Sequence, residues 1–177
     1  MDVSERELVR ESIRQLLNQT SAALVPAALI DSGWSELLAD DACDAITILG
    51  HEVGRSLHGA PVVDLAIQHA LGLGVDSATA VVLAPLQRGL STTAGTVTNG
   101  RVRVNGMVLP GAIDRATRLL VATAQGVVVI DANTMETAAF EAPGTPLTMV
   151  TGTAAGPVVA TPAAWLEATS VDRKSVV

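Results

Sequence analysis

Residues 98–111, TNGRVRVNGMVLPG, contain the pattern on which the fold assignment depends. An alternating Arg-Val segment over 101–104 is bracketed by Asn99-Gly100 and Asn105-Gly106. Asn-Gly strongly favours a two-residue hairpin turn, and apolar residues at every second position indicate a strand with one buried face. We therefore predict hairpins here and a second half of the chain that is rich in β-structure.

Other short apolar runs extend this pattern on both sides. From Thr79 onward the runs are short and β-branched, and turn signals such as Gln125-Gly126 and Gly156-Pro157 separate them. Strands are expected at 119–123, 127–130 and 158–160. Regularly spaced short strands with turns between them predict an antiparallel meander or small barrel.

The first half of the sequence has helical periodicity instead. Ser4 and Glu7 have the spacing of a capping box, and apolar residues then recur on one face up to about residue 18. Pro26 suits the first turn of a short second helix. Longer helices are predicted from about 42 to 57 and from 62 to 71, which gives a small helical bundle.

A last helix begins after the predicted strands. Thr161 is a suitable N-cap, Pro162 suits the first helical position, and Trp165 and Leu166 are candidate buried residues. The predicted fold class is therefore α+β: a helical bundle over 1–75, a small antiparallel β-barrel or meander over 76–160, and the start of a further helix over 161–170.

The tail over 171–177 differs from the rest of the chain, because Lys174 is the only lysine in the sequence. Residues 172–177, DRKSVV, are also what a common sequencing-library adapter encodes in one reading frame before a stop codon. We expect this tail to be non-native and the gene fragment to be truncated.

Composition excludes several classes of function. The net charge is -7 and aromatic residues make up 2% of the 177 residues, which argues against nucleic-acid partners. Cys43 is the only cysteine, so neither an internal disulfide nor a cysteine zinc site is expected. No apolar run is long enough for a bilayer and no signal peptide opens the chain, so we expect a cytoplasmic protein without a membrane partner.

Candidate motifs have simpler structural interpretations. Gly72-Leu73-Gly74 follows a helix, the reverse of a dinucleotide-binding loop, and is predicted to be a turn. His51 is followed four residues later by Arg55 rather than by a second histidine, so a zinc-protease motif is missing. The acidic residues at 40, 41 and 44 are expected to cap a helix. Trp34 and Trp165 are predicted to be core residues.

Residues 29–57, LIDSGWSELLADDACDAITILGHEVGRSL, resemble the acyl-CoA dehydrogenase family. In that family a Leu-Gly-Trp stretch precedes a helix that ends in a Glu-Leu-Gly-Arg-like segment, here Ser32-Gly33-Trp34 and residues 52–55. The opening helix is also similar to the family's first helix, residues 102–111 to its Asn-Gly hairpin, and residues 162–171 to the entry to its C-terminal helical domain. The resemblance covers nearly all of residues 1–170.

The resemblance implies an FAD flavoprotein that desaturates an acyl-CoA thioester between its α and β carbons, working as a homo- or hetero-oligomer of related subunits. It places five residues at cofactor-facing positions: Leu83, Ala84, Ser91, Leu109 and Gly111. The family's catalytic glutamate lies in a C-terminal domain that follows the region resembled here. No catalytic residue is therefore assigned, and this chain alone is expected to be inactive.

Departures from the family pattern leave two interpretations open. Leu83-Ala84-Pro85 replaces a Thr-Glu-Pro segment, and 107–111 lack the family's aromatic and hydroxyl residues. The chain is interpreted as a fragment of an acyl-CoA dehydrogenase-like subunit, and the departures favour a divergent, non-catalytic partner. The alternative is a small non-enzymatic binding or scaffold protein.

Overall fold

The computed structural model describes the backbone of residues 1–56, 59–85, 93–142 and 145–170. The described helices are α1 (Val3–Gln19), α2 (Val25–Asp31), α3 (Trp34–Ser56), α4 (Val63–Ala70), α5 (Ala112–Arg115) and α6 (Pro162–Ser170). The described strands are β1 (Thr79–Val82), β2 (Gly95–Thr98), β3 (Arg101–Val108), β4 (Arg118–Thr123), β5 (Gly126–Asp131), β6 (Glu136–Ala142), β7 (Thr145–Ala154) and β8 (Val158–Ala160). The predicted α+β class is confirmed.

Helix α1 begins with a capping box two residues earlier than the sequence suggested. Asp2 accepts a hydrogen bond from the Glu5 amide, and the Glu5 side chain accepts one from the Asp2 amide. Ser4 is therefore a residue of the first turn rather than the cap. Two apolar residues of α1, Ile13 and Leu17, are buried in the bundle.

Helix α3 is kinked at Asp41, whose backbone is non-helical at φ -152° and ψ 74°. The Asp41 carboxylate accepts a hydrogen bond from the Asp44 amide at 3.2 Å, as an N-cap does for the second segment of the helix. Asp44 in turn accepts two hydrogen bonds from Arg6 of α1, at 2.6 and 2.7 Å. Part of the acidic cluster thus caps a helix, as predicted, and part of it ties α3 to α1.

A buried carboxylate joins the same two helices further along. Glu52 of α3 has only 2% of its side chain exposed, and Arg14 donates to it at 3.2 and 3.3 Å. Arg10 and Arg55 lie 3.7 and 3.5 Å from its oxygens. The hydrogen bond from Arg14 is the main reason that the pKa of Glu52 lies below its ordinary value. Neighbouring His51 is 66% exposed, as its position predicted.

The strands form one mixed sheet in the order β6-β7-β3-β2-β4-β5-β8, with β1 pairing with β4 outside this path. Most pairs are antiparallel, but β1 and β4 are parallel, with Thr79 opposite Arg118. The sheet is therefore mixed rather than purely antiparallel, and the described strands do not close it into a barrel. Two parallel strands need a long connection between them, which here is the segment between residues 82 and 118. No local sequence signal marks such a pairing.

The two Asn-Gly pairs have different roles. Asn99 and Gly100 both have positive φ, 51° and 71°, and form the tight turn between β2 and β3. Asn105 and Gly106 lie inside β3 instead, opposite Thr151 and Val150 of β7. The first predicted turn is confirmed and the second is wrong.

Helix α6 packs against α4, β4 and β5. The Thr161 hydroxyl accepts a hydrogen bond from the Ala164 amide at 3.2 Å, which confirms the predicted N-cap. Trp165 is buried in a cluster with Ile67 of α4 and Val127 of β5, whereas Leu166 is 56% exposed and was wrongly predicted to be buried.

The ion pairs around Glu52 give a direct stability test. Glu52→Gln removes the buried negative charge that faces Arg10, Arg14 and Arg55, so we expect a clear fall in the midpoint of urea denaturation. Glu11→Gln is the matched control, because Glu11 also binds Arg14, at 2.7 Å, but is 66% exposed. That control is expected to change stability by no more than about 0.5 kcal/mol. Equal effects of the two substitutions would contradict the proposed importance of Glu52.

Candidate functional site

The end of β1 meets the end of β3 at the predicted cofactor-facing positions. The Leu83 amide donates to the Met107 carbonyl at 2.8 Å, and the Met107 amide donates to the Leu83 carbonyl at 2.9 Å. Because this bridge is antiparallel, the chain after Leu83 runs towards Gly106, and the chain after Met107 runs back past β1. We call residues 83–85 and 107–112 the β1–β3 edge; within it Leu83 packs against the cluster of Val81 and Trp165, whereas Leu109 packs against the cluster of Val108 and Ala112.

Gly111 marks where this edge meets the helical bundle. Its φ is 69°, and a Cβ placed there would lie 3.0 Å from the Cβ of Ala23, in the short 3-10 helix (Ala22–Leu24) before α2. The glycine therefore allows close packing of the bundle against the sheet domain. Ser91, the remaining predicted position, lies outside the described residues.

The edge offers few polar groups to a flavin ring. Residues 83–85 and 107–112 are Leu, Ala, Pro, Met, Val, Leu, Pro, Gly and Ala. Both backbone groups of Leu83 are used by Met107, and the Leu109 carbonyl accepts from the Ala112 amide at 3.1 Å. Pro85 and Pro110 have no amide hydrogen. The residues in these two segments therefore do not fit FAD in the way that the resemblance implies.

Gly106 explains how β1 and β3 approach so closely. A Cβ at this position would lie 2.4 Å from the Cγ1 atom of Val82 and 2.7 Å from the Leu83 carbonyl oxygen. Glycine is required for this contact rather than for a turn. The Asn105-Gly106 pair therefore allows a close approach of two strands, where the sequence had predicted a turn.

A buried polar cluster covers the rest of the same edge of β1. Asp64 of α4, which is 1% exposed, accepts a hydrogen bond from the Val81 amide at 3.2 Å and one from Arg115 of α5 at 2.7 Å. Arg115 also donates to the carbonyls of Ser77 and Thr79. Side chains thus satisfy backbone groups that a neighbouring strand would otherwise pair with.

Gln68 and Asp76 complete this cluster. The Gln68 amide nitrogen donates to the Asp76 carbonyl at 3.1 Å, and its oxygen accepts from the Asp76 amide at 2.9 Å. Asp76 also binds Arg118 of β4 at 2.6 Å. These residues line a groove of about 240 Å³, but the Gln68 and Asp76 groups facing it already have internal partners. No sequence signal marks this cluster, since its acidic and amide members are distant in the chain from Arg115 and Arg118.

Asp64 has an unusual protonation equilibrium. Its burial raises its pKa from 3.8 to about 7, although the ion pair with Arg115 and the hydrogen bond from Val81 both act in the opposite direction. Asp64 touches structural partners only, so its raised pKa is a property of the junction between bundle and sheet. No motif marked it in the sequence.

Two further features of the described residues limit the chemistry. No three of their His, Cys, Asp or Glu side chains lie together in a way that could hold a metal ion. None of their helices is long and apolar enough to cross a membrane. The described parts of the chain offer a packed apolar edge and a buried ion pair.

A helical bundle, a sheet domain and a returning helix that packs on the sheet define the fold of the acyl-CoA dehydrogenases. The ChsE4–ChsE5 complex from Mycobacterium tuberculosis is similar, with a TM-score of 0.67 and 13% identity over 96% of this chain and 60% of that one. Glutaryl-CoA dehydrogenase from Mycobacterium smegmatis has a TM-score of 0.53 at 13% identity, over 95% of this chain and 59% of that one. An FAD-dependent dehydrogenase also has a TM-score of 0.53 at 13% identity, over 98% of this chain and 62% of that one.

This chain therefore spans about 60% of the length of the solved structures that it matches. No family model matches its sequence, and no curated protein is similar enough to count as a relative. At this level of identity the likeness shows the fold alone.

The raised pKa of Asp64 predicts a pH dependence of stability. The folded state binds the Asp64 proton more tightly than the unfolded state does, so the free energy of unfolding should fall as pH rises from about 4 to about 7 and then level off. Asp64→Asn keeps the acceptor and removes the titration, so it should flatten this part of the curve. Urea denaturation between pH 4.5 and 8 measures both proteins, and an unchanged slope in the variant would refute the assignment.

The contact at Gly106 predicts opposite effects for two glycine substitutions. Gly106→Ala forces its methyl group into Val82 and the Leu83 carbonyl, and overpacking of this kind costs about 1–3 kcal/mol. Gly54→Ala lies in α3 with no atom within 4 Å of the new Cβ, so it should stabilise the protein by about 0.5–1 kcal/mol. Thermal denaturation compares them, and a harmless Gly106→Ala would show that the two strands lie further apart.

Proposed function

We propose that this chain is part of an acyl-CoA dehydrogenase-like subunit that has diverged at its flavin-facing edge and serves as a non-catalytic partner of related subunits. The observation that carries the proposal is the combination of a shared fold with a packed apolar edge where the resemblance expects polar groups. The chain keeps the framework of the fold, and the segments 83–85 and 107–112 supply no hydroxyl, amide or charged side chain.

In such an assembly, FAD and the acyl-CoA substrate would be held by a subunit that retains the polar positions. FAD supplies hydride acceptance when bound, and the reaction is α,β-desaturation of the thioester. This chain would contribute a rigid surface, because Gly111 locks the bundle against the sheet and Leu83 is tied to Met107. A complex of two differently named chains among the similar structures supports the idea of a related partner subunit.

A second candidate function is a small binding or scaffold protein without redox chemistry. The apolar edge at Leu83 and Leu109 favours it equally, because such an edge can be covered by another protein as well as by a dehydrogenase subunit. The two candidates differ in the partner, which is a flavin-bearing subunit in one and an unrelated protein in the other. For both, the exposed free thiol of Cys43 suits the reducing cytoplasm, which is the proposed compartment.

Flavin binding separates these proposals from an active flavoprotein. We expect equilibrium dialysis of the whole chain against FAD to show no stoichiometric binding, since Leu83 has no free backbone group to offer. Leu83→Thr alone should not restore binding, because the substitution leaves the pairing with Met107 in place. A stoichiometric complex whose flavin absorbance bleaches with an acyl-CoA would overturn the assignment as a non-catalytic chain.

Partner binding then tests the first candidate against the second. The chain is mixed with the flavin-bearing acyl-CoA dehydrogenase-like subunits of the same organism and analysed by size-exclusion chromatography with absorbance at flavin wavelengths. We expect one mixed complex with less flavin per chain than the flavin-bearing subunit has by itself. Failure of every such subunit to bind would favour the scaffold function.

A further inference from the structure

The helical bundle carries an apolar groove, and all of its lining residues precede the β1–β3 edge in the sequence. It has a volume of about 400 Å³ and lies between α1, α2 and the start of α3. Its lining includes Leu8, Ile13, Leu16, Leu29, Trp34 and Leu37. This volume falls in the range of about 300–1,000 Å³ that is usual for small-molecule sites.

Polar groups of the groove wall differ in whether they have partners. The hydroxyls of Ser12 and Ser32 donate to the carbonyls of Leu8 and Leu29, at 2.9 and 2.8 Å. The indole N–H of Trp34 has no hydrogen-bond partner among the described residues, although Trp34 is only 3% exposed. A buried donor without an acceptor destabilises the protein, so its persistence needs an explanation.

We propose that this groove binds a small apolar molecule that carries one carbonyl oxygen, such as a ketone, ester or amide. The apolar body would pack against the leucines of α1, α2 and α3, and the carbonyl oxygen would accept the unused hydrogen bond of Trp34. Because the indole nitrogen is itself buried, the proposal requires side chains of the groove wall to move when the ligand binds. This inference does not rest on the proposed dehydrogenase function, because none of the groove residues belongs to the β1–β3 edge.

One acidic side chain at the rim argues against a second copy of the chain as the occupant. The Glu36 carboxylate lies 3.8 Å from the position of a Cβ on Gly33, which lines the groove. Two copies docked face to face through this groove would bring their Glu36 carboxylates towards each other, which is unfavourable.

The two tryptophans make the test specific. The chain labelled with ¹⁵N has two indole N–H signals, and Trp165→Phe identifies the one that belongs to Trp34. The probes are acetophenone and ethylbenzene, which share a carbon skeleton and differ in the carbonyl group. We expect acetophenone to shift the Trp34 signal and to bind about tenfold more tightly than ethylbenzene, as one hydrogen bond to a previously unpaired donor implies.

Variants separate the groove from unspecific effects. Trp34→Phe keeps an aromatic ring and removes the donor, so it should bind both probes equally. If Trp34→Phe does not fold, Ser12→Leu still provides the test, because it fills the groove wall and should weaken acetophenone binding at least fivefold. Ser4→Leu is its control on the same helix, outside the groove lining, and should bind as the parent chain does.

Three results would overturn the proposal. The first is no shift of the Trp34 signal by either probe up to millimolar concentration. The second is equal affinity for both probes, which would mean that the indole hydrogen does not reach the ligand. The third is a Trp34 signal that moves with protein concentration in the absence of any probe, which would assign the groove to contact between two copies of the chain.

Discussion

Strand β1 is buried on both faces, and the rest of the structure depends on how its second edge is satisfied. Thr79 is 4% exposed and the three residues after it are fully buried. Strand β4 pairs with one edge, while Asp64, Arg115 and Met107 supply partners for the other. A buried backbone group without a partner would cost about as much free energy as a lost hydrogen bond. The fold therefore depends on the partners that these three residues supply. Helix α4, helix α5 and the end of β3 are held in place by this one requirement.

The elements that the sequence predicted well are those whose signals are local. Thr161 and Pro162 mark the start of α6, and Asn99-Gly100 forms a turn, because capping and tight turns depend on a few consecutive residues. Asn105-Gly106 carries the same local signal, but pairing with β7 on one side and the approach of Val82 on the other keep it in a strand. Tertiary contacts therefore determine whether an Asn-Gly pair forms a turn or stays in a strand. Rules that use only neighbouring residues do not include such contacts.

Other features could not be predicted because their partners are distant in the chain. Glu52 is typical of an exposed helix position by sequence, yet it is buried because Arg10 and Arg14 of another helix neutralise it. Strands β6 and β7 were missed, and Pro146 within β7 disfavours a strand by sequence. At the candidate site, Leu83 and Leu109 were found through a family resemblance, whereas the roles of Asp64, Arg115 and Trp34 appear only in three dimensions.

The parallel pairing of β1 with β4 also has a consequence for biosynthesis. Strand β1 leaves the ribosome well before residues 118–121, its partners in the pairing, have been made. Helices α1 to α4 share one core, and all of them precede β1 in the chain, so they can fold during this interval. We expect the bundle to form first and β1 to wait as an unpaired, largely apolar segment. The sheet is then completed only after a large loop closes, which makes this step the slow one and the nascent chain most prone to aggregation.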